Sequence, residues 1–353
     1  MARNEWKTGW GVRRRGFTLI ELLVVVAIIA LLISILLPSL NNARKSAKAV
    51  KCGANQNHVG KAVHAYLGEN NGTFPASYFY NYAYKRYSLT NQPSSGADYG
   101  YTHWSYFLYN TGEADDASFQ CPEFNNGGCP RTNPGPKGEN WEPGQYDDNG
   151  SVAANMPSVE DSQATRMAYT GNAAVMPRNK FTRELSLGPR VNRFVRDADI
   201  NTQRPVILAA EFTNNWKAIA VDASSGFKSK SHRSINPFFH VGSGSSEYDP
   251  PENTPGFVYG DPTSATYGLR PLSELEEGEN LIDNRSFPET NAVGRHHPGG
   301  DRLGGTANFL YVDGSTQRKT ILQTLDGREW GDKYYSLSGR NEVNMQYRAG
   351  QGE

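Results

Sequence analysis

Few side chains in this 353-residue chain are placed to do chemistry, and they fall into three groups. His296, His297, Asp301 and Asp313 crowd into one C-terminal stretch, where imidazoles and carboxylates together could form a metal or acid–base site. No nucleophile motif, phosphate loop or paired-carboxylate signature accompanies them. Cys121 and Cys129 flank a loop whose glycines let its ends meet. The expected pair is therefore Cys121–Cys129, with Cys52 free; the other reading is three unpaired thiols packed as small apolar residues. Zinc fits less well at this level, because no Cys-x-x-Cys or His-x-x-x-His spacing joins the cysteines. The third group is a single residue, Glu21, alone in an apolar run.

That run extends from Phe17 to Leu37. As a helix it would measure roughly 31 Å, about the hydrocarbon thickness of a bilayer. A carboxylate inside such a helix costs on the order of 2.5–3.5 kcal/mol at the centre and less near an end. A plain membrane anchor explains the length and the basic flank Arg13-Arg14-Arg15 but not the acid. A secretory signal peptide has a shorter core and a small-x-small site after it, whereas here Leu36-Leu37-Pro38-Ser39-Leu40 follows. Lys7 and Arg13–Arg15 would hold the start of the chain in the cytoplasm. Arg44, Lys45, Lys48 and Lys51 weaken that argument taken alone.

Over Arg13–Leu40 the basic run, Gly16-Phe17-Thr18-Leu19-Ile20-Glu21 and the aliphatic helix broken by Pro38 resemble the N-terminus of type IV prepilins and type II secretion pseudopilins. The resemblance implies cleavage of the Gly16–Phe17 bond by a prepilin peptidase/N-methyltransferase and methylation of the Phe17 amine. It assigns residues 1–16 to a cytoplasmic leader and 17–37 to a transmembrane or filament-core segment. It places the rest outside the inner membrane, in a periplasmic or other extracytoplasmic, oxidising space. Glu21 would be the assembly acid. It sits within one helical turn of the new ammonium, or beside that of a neighbouring subunit, and each charge raises the other's tolerance of a low dielectric. The implied partners are other pilin-like subunits, an inner-membrane assembly platform and membrane lipid.

A second resemblance lies further on. Arg295-His296-His297, then Gly305, Asn308, Phe309 and Asp313-Gly314, resemble the C-terminal motif of a pseudopilin-like family of planctomycete-type bacteria, in which nine residues separate a His from Asp-Gly. Cys52-Gly-Ala-Asn-Gln, Gly60, Tyr66, Asn70-Asn71-Gly72, Pro75 and Phe119-Gln120-Cys121-Pro122 add to it. Here Leu303 stands at the position of the His. His297 lies six residues earlier, so that Pro298–Arg302 read as an insertion. The expected role for His297 is to stabilise a turn by bonding backbone. The pseudopilin resemblance also implies calcium, for which Asp313 is a weak candidate; no other cofactor is expected.

These residues need elements to position them. Leu40, Ala43, Ala47, Val50 and Ala54, then Val59, Val63 and Tyr66, recur at helical spacing. One helix is thus expected over about 17–70, kinked but not ended by Pro38 and stopped by Asn70-Asn71-Gly72. His58 and His64 read as surface or packing residues. Beyond it, strands are expected at Met167–Val175, Pro205–Glu211 and Ala307–Val312, and more weakly at Trp216–Val221 and Phe257–Tyr259. Asp313-Gly314 should close a hairpin of type I′ onto Ser315–Leu322. Leu89–Tyr99, Glu123–Pro157 and Gly242–Pro255 read as loops. The fold class is α+β: a long N-terminal helix packed on an antiparallel sheet domain, residues 71–353, with long loop insertions.

Composition agrees with an exported, loop-rich domain. The chain holds 36 Gly, 20 Pro and 19 Tyr, and only 37 % of it is apolar. Its 36 basic and 36 acidic residues balance, so no nucleic-acid partner is expected. The functional expectation is a pilin-like structural subunit, not an enzyme. The competing readings are a calcium- or carbohydrate-binding module, or an enzyme, on a pilin-type anchor.

Overall fold

The computed structural model describes residues 16–80, 100–109, 111–155, 159–178, 182–185, 188–191, 193–200, 203–238, 257–258, 269–282, 288–337 and 343–344. Of the expected loops, Leu89–Tyr99 and Gly242–Pro255 lie outside the described residues. The chain forms two compact units, Met1–Arg44 and Lys45–Glu353.

Helix α1 spans Leu19–Glu69 and belongs to the first unit up to Arg44 and to the second from Lys45. It runs through Pro38 without ending there. Its start is a capping box: Thr18 N–H donates to Glu21 Oε2 at 2.9 Å, and Glu21 N–H donates to Thr18 Oγ1 at 3.2 Å. It stops where Asn71 and Gly72 take φ of 53° and 71°, and Gly72 N–H bonds Leu67 O at 2.8 Å. This is the αL ending that Asn and Gly permit. In the first unit the helix is long and apolar enough to cross a membrane, and its most apolar window buries no residue.

In the second unit α1 lies on an antiparallel sheet. The strands are β1 (Tyr169–Gly171), β2 (Ile207–Glu211), β3 (His297–Asp301), β4 (Gly304–Tyr311) and β5 (Thr316–Lys319). The order is β3-β4-β2-β1, with β5 also paired to β4. β2 is buried at every position and β4 from Thr306 onward, as central strands require. Phe309, Leu310, Tyr311, Trp104 and Trp330 fill the core around them. A short helix α2 (Trp104–Tyr109) precedes the sheet and α3 (Ile321–Asp326) follows it.

The contact between α1 and β4 departs from the expected stripe. Val50 is 70 % exposed and Ala47 and Ala54 are exposed too, whereas Ala49, Cys52, Asn55, Gln56, Val59, Gly60 and Val63 are buried. Polar groups set this register. Asn55 Nδ2 donates to Ala117 O and Gln120 O at 3.1 and 2.8 Å, and Gln56 Nε2 reaches Asn308 O at 3.3 Å. Gly60 lets the helix close on the sheet, since a Cβ there would lie 2.7 Å from Leu310 Cδ1. His58 and His64 are exposed.

Three further expectations are corrected. Trp216–Val221 is a 3₁₀ turn over Trp216–Ile219 followed by a short strand from Val221, because Asn215 caps the turn by accepting from Lys217 N–H. The strand expected to Leu322 ends at Lys319, where Thr320 and Gln323 form a capping box that starts α3. The β4–β5 hairpin is present but not of type I′, which needs positive φ at both central residues. Gly314 has φ of 81° and Asp313 is not among the positive-φ residues. Gly314 N–H bonds Tyr311 O at 2.9 Å, and Tyr311 N–H bonds Ser315 O at 2.9 Å. This is the longer turn that ends in a left-handed glycine.

The disulfide is also corrected: Cys52 pairs with Cys121, Cα–Cα 4.9 Å, and Cys129 is the buried free thiol. The 121–129 loop needs no crosslink. Cys121 N–H already bonds Gly127 O at 2.8 Å, and Cys129 is drawn away to pair with Met167. The segment before Cys121 is instead pinned to α1 by Asn55. Tyr169 hydroxyl pins it too, bonding both Cys52 O and Gln120 O at 3.0 and 3.2 Å.

Four outcomes follow from this packing. Non-reducing peptide mapping should show a Cys52–Cys121 peptide and an alkylatable Cys129. Cys52→Ser should cost roughly 4 kcal/mol for a loop of this length, read by denaturant unfolding. Gly314→Ala should destabilise the fold by more than about 1 kcal/mol, read as a lower melting temperature, because a Cβ there is strained and would lie 2.8 Å from His64 Nε2. Asp313→Asn should change it little.

Candidate functional site

Of the four residues that could have formed one site, only His296 and His297 come together. Asp313 Oδ1 accepts from Ser315 N–H at 2.9 Å in the hairpin turn, and Asp301 Oδ1 accepts from Leu303 N–H at 2.8 Å. Asp313 lies in no metal-competent cluster among the described residues. His297 does something other than the expected turn bonding. Its Nε2–H donates to Glu211 Oε1 at 2.9 Å, with both side chains fully buried.

Glu211 is the centre of this cluster and was not singled out from sequence beyond ending a strand candidate. The strand register places it there: Phe309 pairs with Ala210, so Asn308 faces Glu211. Asn308 N–H donates to Glu211 Oε2 at 2.8 Å and Asn308 Nδ2 to Glu211 Oε1 at 3.0 Å. The same Nδ2 reaches Ala49 O of α1 at 3.2 Å. Burial pushes the Glu211 carboxyl up, but the hydrogen bonds from His297 and Asn308 help to hold it below the usual range. The carboxylate is thus ionised, enclosed and bound by three donors.

The expected insertion Pro298–Arg302 forms the rest of β3, an irregular strand with Gly299 and Gly300 at positive φ, and begins the two-residue turn into β4. His297 pairs with Thr306 and is thereby aimed into the cluster. Gly305 permits this approach, since a Cβ would lie 2.2 Å from His297 O. Arg295, also buried, clamps the segment by donating to Arg270 O, Leu303 O and Asn291 O. His296 packs on His297 with ring centroids 4.5 Å apart and is kept neutral by burial, its pKa lowered to about 4.

The Cys52–Cys121 pair completes the cluster. Cys121 Sγ lies 3.9 Å from Nε2 of both His296 and His297. One ligand atom each from Cys52, Cys121, Glu211 and His297 lies within 4.8 Å of the others. The residues expected to act at the membrane lie in the other unit: Gly16 and Phe17 are exposed, and Glu21 is engaged by Thr18.

A model of the prokaryotic N-terminal methylation motif matches residues 12–37. The N-terminal segment is prepilin-like. The chain is also 47 % identical over 57 residues to the type IV wide pilus major component PilA4 of Thermus thermophilus. That alignment covers 16 % of this chain and 44 % of the relative, so the chain spans less than half of the curated relative it matches. No solved structure matches the chain. The sheet unit with its Glu211 cluster is outside the matched motif.

Stability should follow pH through these buried groups. Burial lowers His296 to about 4 and His103 to about 3, and holds His232 well below 6.5. The unfolded chain takes up protons below about pH 6.5 that the folded chain refuses, so stability falls from there toward pH 4. For His296 alone the full effect is roughly 3 kcal/mol. Glu211, with its pKa lowered, adds stability above about pH 4.5 that is lost at lower pH. His296→Gln should flatten the melting-temperature profile between pH 6.5 and 4. Glu211→Ala should cost roughly 3–5 kcal/mol at neutral pH, because it strands three buried donors.

Proposed function

We propose that this chain is a pilin-like structural subunit of a type II secretion or type IV pilus-like filament, processed by a prepilin peptidase. The observation that carries the reading is the methylation motif at residues 12–37 set on a helix whose apolar window buries nothing in the single chain. An exposed apolar surface of that size needs lipid or other copies to cover it. A helix that first lies in the membrane and then in a filament core uses both in turn. Glu21 would meet the Phe17 ammonium of its own or a neighbouring subunit. The unit Lys45–Glu353 would face the extracytoplasmic space, where Cys52–Cys121 can form. Chemistry in this scheme belongs to the processing enzyme, not to this chain; the assembly platform and the fellow subunits are its partners.

The capping box separates two roles for Glu21. A Gln at this position keeps the bond to Thr18 but loses the charge, whereas Ala loses both. If charge pairing drives assembly, Glu21→Gln and Glu21→Ala should both accumulate in the membrane without forming filaments. If the cap alone matters, Glu21→Gln should assemble normally. N-terminal mass spectrometry of protein from its native membrane should find N-methyl-Phe17, and Gly16→Val should retain the leader while still inserting. An intact Met1, or a start after Ser39, would overturn the processing step.

A further inference from the structure

Four segments that are distant in sequence each bring one metal-binding atom to the same buried point. Cys52 comes from α1, Cys121 from the segment before its loop, Glu211 from the end of β2 and His297 from the start of β3. All four side chains are buried, and the ligand atoms lie within 4.8 Å of one another. Among the described residues the buried Nδ1 atoms of His296 and His297 have no hydrogen-bond partner, so no second bond fixes the tautomer of either ring. We propose that Cys52, Cys121, His297 and Glu211 are a zinc site whenever the two sulfurs are thiolates. The same pair of sulfurs then carries either a disulfide or a Zn²⁺ ion.

The donor set selects the metal. Two thiolates, an imidazole and a carboxylate suit zinc in a tetrahedral shell, while calcium and magnesium take oxygen ligands. Zinc–ligand distances of about 2.0–2.3 Å put neighbouring donors about 3.3–3.8 Å apart. The Cys121 Sγ–His297 Nε2 separation of 3.9 Å already lies near that range, and the sulfurs would move apart on losing their bond. Supports stand behind the ligands. Asn308 holds Glu211 through both its backbone N–H and its Nδ2, and with its proton on Nε2 His296 donates toward the Cys121 sulfur. To bind through Nε2, His297 gives up its hydrogen bond to Glu211 and carries its proton on Nδ1 instead.

The states interconvert by balanced steps. A dithiol reductant gives two electrons and two protons to the Cys52–Cys121 bond and leaves as its own disulfide. Zn²⁺ then displaces the two thiol protons to solvent. Newly made chains start as thiols and need no reductant.

The test uses the untagged full-length chain in detergent. Protein reduced with a phosphine under nitrogen, given Zn²⁺ and desalted, should retain about one zinc per chain, and the oxidised protein none. Co²⁺ in place of Zn²⁺ should give a thiolate-to-cobalt charge-transfer band in the near ultraviolet. In the reduced wild type zinc should slow alkylation of Cys52 and Cys121 and leave Cys129 unprotected, a readout that needs no variant. His297→Ala should weaken zinc binding roughly tenfold or more, and Cys129→Ser should not. Reduced wild type that retains no zinc and shows no cobalt–thiolate band would overturn the proposal. So would equal retention by a Cys52→Ser/Cys121→Ser double variant.

Discussion

One buried carboxylate organises the larger unit. Glu211 is enclosed and ionised, so it must be met by donors, and each donor comes from a different place. His297 brings β3, the backbone and side chain of Asn308 bring β4, and the same Asn308 amide reaches Ala49 of the long helix. A charge that cannot be left unpaired in a low dielectric thereby fixes three strands and a helix against one another. The apolar core supplies most of the stabilisation, but apolar contacts tolerate sliding. A set of hydrogen bonds around one oxygen pair does not.

The helix follows the same logic. Along its buried stretch it presents Ala49, Asn55, Gln56 and Gly60, small or amide-bearing residues, beside the aliphatic Val59, Val63 and Leu67. Small residues let the backbones approach, and at that separation the amides can reach carbonyl groups of the sheet and of the 117–120 segment. The Cys52–Cys121 bond lies in this polar seam.

Much of the fold was legible because strong local signals survive tertiary context. The 51-residue helix, its Asn-Gly stop, β2, β4 and the Asp-Gly hairpin all follow from periodicity and turn chemistry. What failed was decided by long-range polar contacts. The stripe was right at Val59 and Val63 but misplaced before them, because Val50 looks like a core residue and Asn55 does not; only the carbonyls that Asn55 meets reverse that order. The cysteine pairing was misplaced because nearness in sequence is a poor guide once Tyr169 and Asn55 tie residues 117–121 to the helix. Glu211 was visible as an acid closing an apolar strand, a signal that a buried partner must exist. The motif around His297 and Asn308 was visible too, but nothing in the sequence joins them to Glu211.

The Thr18–Glu21 cap has a consequence for the life of the chain. Every atom in it lies downstream of the Gly16–Phe17 bond. Cutting there leaves both partners of each capping bond in place. The helix therefore carries its own starting instruction on the side that would be kept, and losing sixteen residues would shorten the molecule without unwinding it.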